Sequence, residues 1–281
     1  MHPSLEVLRF LHYSLDKENL YHRGYGKEMI DEKPNANVAW LLANNDQIDL
    51  VRRSGLYHLT IVLMNQHDRN ILSTIIERWR FKTSTGHYVD IREMMPRLED
   101  TRKILQLKVP GVAVTVRRVE NYEKHIVRMI GQLAPSRNHS FIRLTWLRNA
   151  FNQIPENYNR TTLLRYTCAY ILYLVGCIIV VDSTYGTIPT IYLQLFEDID
   201  VAGQYAWGAV ALVFLFRALS KVVHVDHQHL SGSATLLLCW VYEHFKLLRP
   251  IPKEIKAGQP KSLKWAPPSK WYNTHNFNLV G

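Results

Sequence analysis

Sixteen consecutive residues, Tyr166 to Val181, carry no charge, and Arg165 and Asp182 bound the run. A helix built from such a stretch is apolar on every side, so it needs either hydrocarbon or a full ring of other elements around it. A membrane span requires about 20 apolar residues, and shorter runs are more often buried in protein. Two more apolar blocks follow, Val201–Phe216 and Ala234–Tyr242. The flanking Arg165, Arg217 and Lys221 do not sort into a positive-inside pattern. The expectation is a helical core, with membrane insertion as the unfavoured alternative.

Hydrophobic spacing predicts what surrounds that core. Val7, Leu8, Leu11 and Leu15 suggest an N-terminal helix, followed by a polar loop over Tyr21–Asn37. Val38–Leu42 and Ile48–Leu59 have helical spacing, interrupted by Asn44-Asn45-Asp46. Ile71–Trp79 predicts an amphipathic helix with Arg78, Arg80 and Lys82 at its negative end. Thr83–Ile91 predicts a strand or hairpin, Leu98–Leu107 a helix stopped by Pro110-Gly111, and Val112–Val116 a second strand. Tyr122–Leu133 and Ser140–Ile154 predict helices, the latter with Phe141, Leu144, Trp146, Leu147 and Phe151 inward. Thr161 or Thr162 would cap a helix running to Val180. From Pro250 onward, Pro252, Pro260, Pro267 and Pro268 lie among Lys253, Lys256, Lys261, Lys264 and Lys270, which predicts an arm that is extended or partly disordered. The fold class is thus mainly α, a multi-helix globular domain with a small β element near residues 83–116. The expected organisation is a helical extension over 1–44, a domain over 45–250 and a basic tail over 251–281.

Charge is unevenly spread. Residues 100–160 hold 11 Lys+Arg against 4 Asp+Glu, and residues 246–281 hold 7 against 1. Nucleic acid is a possible partner through those two basic segments, since phosphate neutralisation favours such surfaces. No run of five basic residues marks a dedicated patch. Cys168, Cys177 and Cys239 stand far apart in apolar runs, which fits a reducing compartment and small hydrophobes. The opening residues do not form a signal-peptide pattern.

The chemistry-bearing clusters are weak. His224, Asp226, His227 and His229 have metal-ligand chemistry, but three ligands within six residues would need a loop wrapped round the ion, and a polar connector between apolar helices is the favoured reading. Glu197, Asp198 and Asp200, with Asp182 and Glu243, could mimic a two-metal carboxylate site. Asp198 and Asp200 also suit the first turn of a helix near Val201. The sequence holds no phosphate-binding glycine loop, nucleophile elbow or H-E-x-x-H motif. No catalytic residue, cofactor or metal is therefore expected.

Longer strings say more. Leu50–Leu59 (LVRRSGLYHL) resembles the LRRxGLYxL opening of the plant mobile domain family, and Ile75–Arg80 (IIERWR) resembles its VERWRPET block. His87, Glu93-Met94 and Leu98-Glu99-Asp100 fall in order after it. Trp146-Leu147-Arg148, Arg165-Tyr166 and Ala169–Gly176 (AYILYLVG) are similar to its WL and RYARAYLLYLIGG strings. Leu195–Asp200 (LFEDID), Gly203–Ala211 (GQYAWGAVA), Trp240–Phe245 and Leu248-Arg249-Pro250 continue the series. Three departures stand out. LGLPVDG reads Leu105–Gly111 (LQLKVPG), losing its first glycine (Gln106 here) and its aspartate, with Lys108 also departing; the FPD block reads Val180-Val181-Asp182; and Phe81 replaces the proline of WRPET.

The resemblance implies a nuclear protein of the maintenance-of-meristems kind, acting in meristem development and transposon or gene silencing. It also implies protein partners, either a phosphatase-like protein or another mobile-domain protein. A transposon-derived nucleic-acid-processing or nucleic-acid-binding protein is the alternative. The aminotransferase-like label sometimes attached to the family is not carried over, because Lys221 is the only lysine between Lys124 and Lys246 and no phosphate loop lies beside it. Gly203, Tyr205 and Trp207 read as close-packing positions. Arg52, Arg53, Tyr57, Glu77, Arg78, Trp79, Asp198, Asp200, Tyr205 and Trp207 are the residues expected to serve either partner binding or the core.

Overall fold

Side-chain caps set the helix starts that hydrophobic spacing leaves vague. Asn44 accepts from the Gln47 N–H and opens α1 (Asn45–Arg53); Asp68 accepts from Ile71 and opens α2 (Arg69–Glu77). Each cap satisfies one of the four unpaired N–H groups at a helix start, which is worth about 1 kcal/mol. The chain then forms β1 (Trp79–Arg80), β2 (Thr85–His87), β3 (Glu93–Met94) and α3 (Leu98–Leu105). Asn121 opens α4 (Tyr122–Ile130); β4 (Phe141–Arg143) and α5 (Leu144–Phe151) come next. Asn159 opens α6 (Arg160–Leu174), which continues as a π-helical turn over Val175–Ile179. After β5 (Thr187–Pro189) and a 3-10 segment (Thr190–Phe196) come α7 (Ile199–Ala202), α8 (Trp207–Val222) and α9 (Ala234–His244). This computed structural model describes residues 40, 42, 44–62, 67–88, 93–181, 186–222 and 230–265.

The architecture is mainly α. Two small antiparallel sheets sit among the helices, one ordered β1-β2-β3 and the other β4-β5. At the centre lies α6, where every residue from Thr167 to Leu174 is buried. α1, α4, α5 and the 3-10 segment pack around it. Trp40 closes one side, with ring centroids 5.1 Å from Tyr170 and 5.0 Å from Tyr173. Among the described residues, Arg160–Ile179 is a 20-residue stretch long and apolar enough to cross a membrane, but 61% of its apolar window is buried against other elements.

Several expectations are corrected. Asn44-Asn45-Asp46 begins a helix rather than interrupting one, because Asn44 is its cap. The helix expected to reach Trp79 stops at Glu77, and Trp79 pairs with Gly86 in the sheet. Ser140–Ile154 is split: Phe141–Arg143 pairs with Thr187–Pro189, leaving Phe141 46% exposed, and only Leu144–Phe151 is helical. Asn159, not Thr161 or Thr162, caps α6. Val112–Val116 forms no strand; Val112 alone makes an isolated bridge to Tyr205. The small β element therefore lies at 79–94, with a second at 141–143 and 187–189.

The tail is also corrected as far as Trp265. A 3-10 turn over Lys261–Lys264 packs against α9, and Trp265 is fully buried. Its indole N–H donates to Glu243 Oε1 at 3.1 Å, while Lys261 and Lys264 pair with the same carboxylate. Burial alone would raise the Glu243 pKa, but these two lysines outweigh it and hold the group below the usual range. The ring lies 5.7 Å from Tyr242, with Lys264 Nζ 5.0 Å from its centroid. These contacts tie residues 260–265 to the core, while residues 251–254 and 256–258 stay exposed.

Two measurements test this account. Trp265→Ala should lose about 3–5 kcal/mol of stability in denaturant unfolding, the usual cost of emptying a tryptophan site; a loss below 1 kcal/mol would mean that the tail is not part of the core. Gln106 ends α3 in the left-handed region at φ 53, where a side chain is strained. Its amide donates to Gln259 O at 3.3 Å, a partial compensation. Gln106→Gly should therefore raise the unfolding free energy by about 0.5–1 kcal/mol, and Gln106→Val should lower it.

Candidate functional site

Seven of the ten residues proposed for binding or core fall along one seam, where the end of α1 meets α7 and the start of α8. Asp198 caps α7 by accepting from the N–H groups of Asp200 (2.8 Å) and Val201 (3.1 Å). That leaves the Asp200 carboxylate pointing back toward α1. Arg53 meets it with both ends of its guanidinium, Nε donating to Oδ1 at 2.7 Å and Nη2 to Oδ2. The hydrogen bond from Arg53 holds the Asp200 pKa below the usual carboxylate range, and Asp200 raises that of Arg53. One residue earlier, the Arg52 guanidinium lies 4.8 Å over the Tyr57 ring.

Backbone packing brings the two sides together. Gly203 presses on the Arg53 carbonyl so closely that a Cβ there would overlap the oxygen. Gly55, at φ 75, lies against the Gly203 backbone from the other side. A third strip of chain joins them: Val112 N–H donates to Gln204 O at 2.9 Å, and Ala206 N–H donates to Val112 O at 3.0 Å. Gly111 fits under Gln204 O for the same reason that Gly203 fits under Arg53 O. Lys108 O accepts from Gly208 N–H at 2.8 Å, and its side chain reaches Gly203 O at 3.5 Å.

Trp207 anchors the seam from below. It is 1% exposed, donates to Ala202 O at 2.9 Å and stacks on Phe196 with centroids 5.9 Å apart. Tyr205 meets it edge-on at 5.9 Å and is half-buried. Arg52, Arg53, Asp198 and Asp200 remain exposed. The seam is a packed junction with a charged rim, and it presents no reactive group held in an unusual state.

The other three residues lie elsewhere. Trp79 is buried against Phe216, 5.3 Å away, and points its indole N–H toward Ser220 Oγ at 3.5 Å. Phe216 sits about 14 Å along α8 from Trp207, at ~1.5 Å per residue. Glu77 and Arg78 are partly buried beside it.

The acidic residues do not converge. Glu197 pairs with Arg128, Asp200 with Arg53, and Glu243 with Lys261 and Lys264. Among the described residues no three His, Cys, Asp or Glu side chains form a metal-sized group. Asp182 and the cluster His224, Asp226, His227 and His229 lie outside the described residues. Sequence reading missed Gly111, Val112 and Gln194 as seam and surface positions; the Pro110-Gly111 turn was the one available signal for the first two.

Packing should matter more here than charge. Gly203→Ala forces a backbone shift and should cost about 1–3 kcal/mol, whereas Asp200→Asn breaks an exposed, solvent-screened pair and should cost less. Denaturant unfolding of the two variants checks the order. A larger loss for Asp200→Asn would overturn it.

The model for the plant mobile domain family matches residues 55–279. Among curated proteins of Arabidopsis thaliana, the chain is 37% identical to Protein MAIN-LIKE 2 over 223 residues, covering 78% of this chain and 33% of that protein. It is 33% identical to Protein MAIN-LIKE 1 over 232 residues, covering 80% and 45%, and 34% identical to Protein MAINTENANCE OF MERISTEMS over 230 residues, covering 80% and 47%. The chain thus spans between a third and a half of the length of these relatives. No solved structure matches it.

Proposed function

Because this chain belongs to the plant mobile domain family, we propose that it is a non-enzymatic nuclear interaction protein acting in meristem development and in transposon or gene silencing through protein partners. The partner expected first is a phosphatase-like protein or another mobile-domain protein. One observation carries this reading: four-fifths of the chain is similar to a relative named for meristem maintenance. The seam fits such a role, since a rigid junction with an exposed charged rim holds a surface in one shape for a partner. The non-enzymatic half of the reading draws on the acidic residues, which neutralise separate cations instead of converging on one point.

The basic segments support nucleic-acid binding less well. At least four of their 18 Lys+Arg are paired within the chain, Arg128 with Glu197, Lys103 with Glu99, and Lys261 and Lys264 with Glu243, and no run of five basic residues gathers the rest into a dedicated patch. A weak or salt-insensitive association with DNA is the expected result, and a steep fall of affinity with salt would revive that reading.

Affinity purification of the tagged chain from plant nuclei, followed by mass spectrometry, tests the main proposal. A phosphatase-like or mobile-domain protein should co-purify. Recovery of membrane proteins alone, or of nothing specific, would retire the reading.

A further inference from the structure

Val112 to Val119 (VAVTVRRV) has the composition of a β-strand, rich in branched residues that suit a pleated, half-buried surface. Yet no strand forms. The segment from Ala113 to Val119 runs with no turn or bend, and it is held at two points. Val112 makes a single parallel rung with the chain at Gln204–Ala206. Five residues on, the Gln194 side chain imitates a strand neighbour: Arg117 N–H donates to its Oε1 at 3.1 Å, and its Nε2 donates to Arg117 O at 2.7 Å. Val114 packs on the core from below.

Between these clamps Ala113, Thr115 and Val116 are exposed. Among the described residues, no hydrogen bond reaches the backbone of 113–116. A row of N–H and C=O groups clamped at both ends, without a turn or bend and unpaired among the described residues, is a template for one more strand. Its flanks are basic: Lys108, Arg117 and Arg118 are exposed, and neither arginine makes an ion pair among the described residues.

We propose that residues 112–119 are a docking edge that accepts one extended strand of a partner protein, with acidic residues flanking that strand's β-branched core. Main-chain pairing supplies the affinity and the charge at the ends selects the sequence. A second copy of the same segment is the poorer occupant. A second copy brings Arg117 and Arg118 to an edge that already carries Lys108, Arg117 and Arg118, so it offers no opposite charge to the flanks. The proposal rests on the protein-interaction reading above and names the surface for it.

The test is fluorescence anisotropy of the purified full chain with two labelled nine-residue peptides. Both alternate Val and Thr at the centre; one has Asp and Glu at its ends, the other Lys. The acidic peptide should bind at least about tenfold tighter than the basic one. Thr115→Pro removes an N–H that has no partner among the described residues, and an unbent residue before proline is compatible with it. It should leave the melting temperature unchanged and weaken acidic-peptide binding by about tenfold or more, the scale of one or two lost main-chain hydrogen bonds. If Thr115→Pro fails to fold, the double variant Arg117→Glu, Arg118→Glu carries the test by reversing the peptide preference.

Equal binding of the two peptides, absence of binding, or a folded Thr115→Pro that binds like the parent chain would each overturn the proposal. So would a concentration-dependent dimer abolished by Thr115→Pro, which would make a second copy the occupant. Repeating the nuclear purification with Thr115→Pro separates the two levels. Unchanged recovery of the same partner discards the edge and keeps the interaction reading, whereas no specific partner for the parent chain discards the reading itself.

Discussion

Enclosure of α6 is the constraint on which the other elements depend. From Thr167 to Val181 its residues are almost all buried, with no charged side chain to mark a solvent face. A helix of this kind cannot form part of a surface, so neighbours must cover it through its whole circumference. The amphipathic α1, α4 and α5 cover it with their apolar faces, and Trp40 fills the remaining side with its indole against two tyrosines. The few polar groups inside are satisfied locally: Thr167 donates to Leu163 O at 2.8 Å, and the Cys168 thiol, its pKa pushed up to about 12 by burial, lies 3.5 Å from Phe196 O. Gly176 admits Leu144 and Ile188 where a side chain would exclude them. Close approach to this helix thereby ties the second small sheet to the centre.

The seam works by the same logic at the surface. Its most visible feature is the two-pronged pair between Arg53 and Asp200, but both side chains are about half exposed and solvent screens their attraction. What holds α1 to α7 is the absence of a side chain at Gly203, which lets its backbone meet the Arg53 carbonyl, while Gly55 supplies the positive φ that turns the chain beside it. Close-packed contacts of this kind are intolerant of even one added methyl, whereas an exposed ion pair tolerates replacement. The charged rim is thus a consequence of the junction and not its cause. Lys108, a departure from the family pattern, adds a contact to Gly203 O without altering that packing.

Element by element, legibility followed how local the deciding interaction was. α3, α4 and α9 are close to their expected positions because spacing and polar caps are both within a few residues. Phe141 was misplaced because an apolar residue beside a helical run looks inward until a distant strand, Thr187–Pro189, pairs with its neighbours and turns it out. Trp79 was read in the wrong element but with the right burial, since β1 and a longer α2 both carry its indole inward. The tail was misread because proline and lysine argue for solvent, while the single residue that decides its fate, Trp265, needs Glu243 and Tyr242 from another helix to be buried.

The sequence by itself determined that the chain is mainly helical, that one helix must be wrapped, and that its string order resembles the plant mobile domain family. Those conclusions rest on composition and short-range periodicity, which survive without knowing what lies beside what. Tertiary structure alone decided that Arg53, Asp200, Gly203, Gly111 and Trp207 share one junction, and that the β-branched run from Val112 keeps a free edge. The physical reason is that both depend on contacts between residues far apart in the chain. A strand forms only where a partner strand is available, and propensity cannot say whether the chain supplies one.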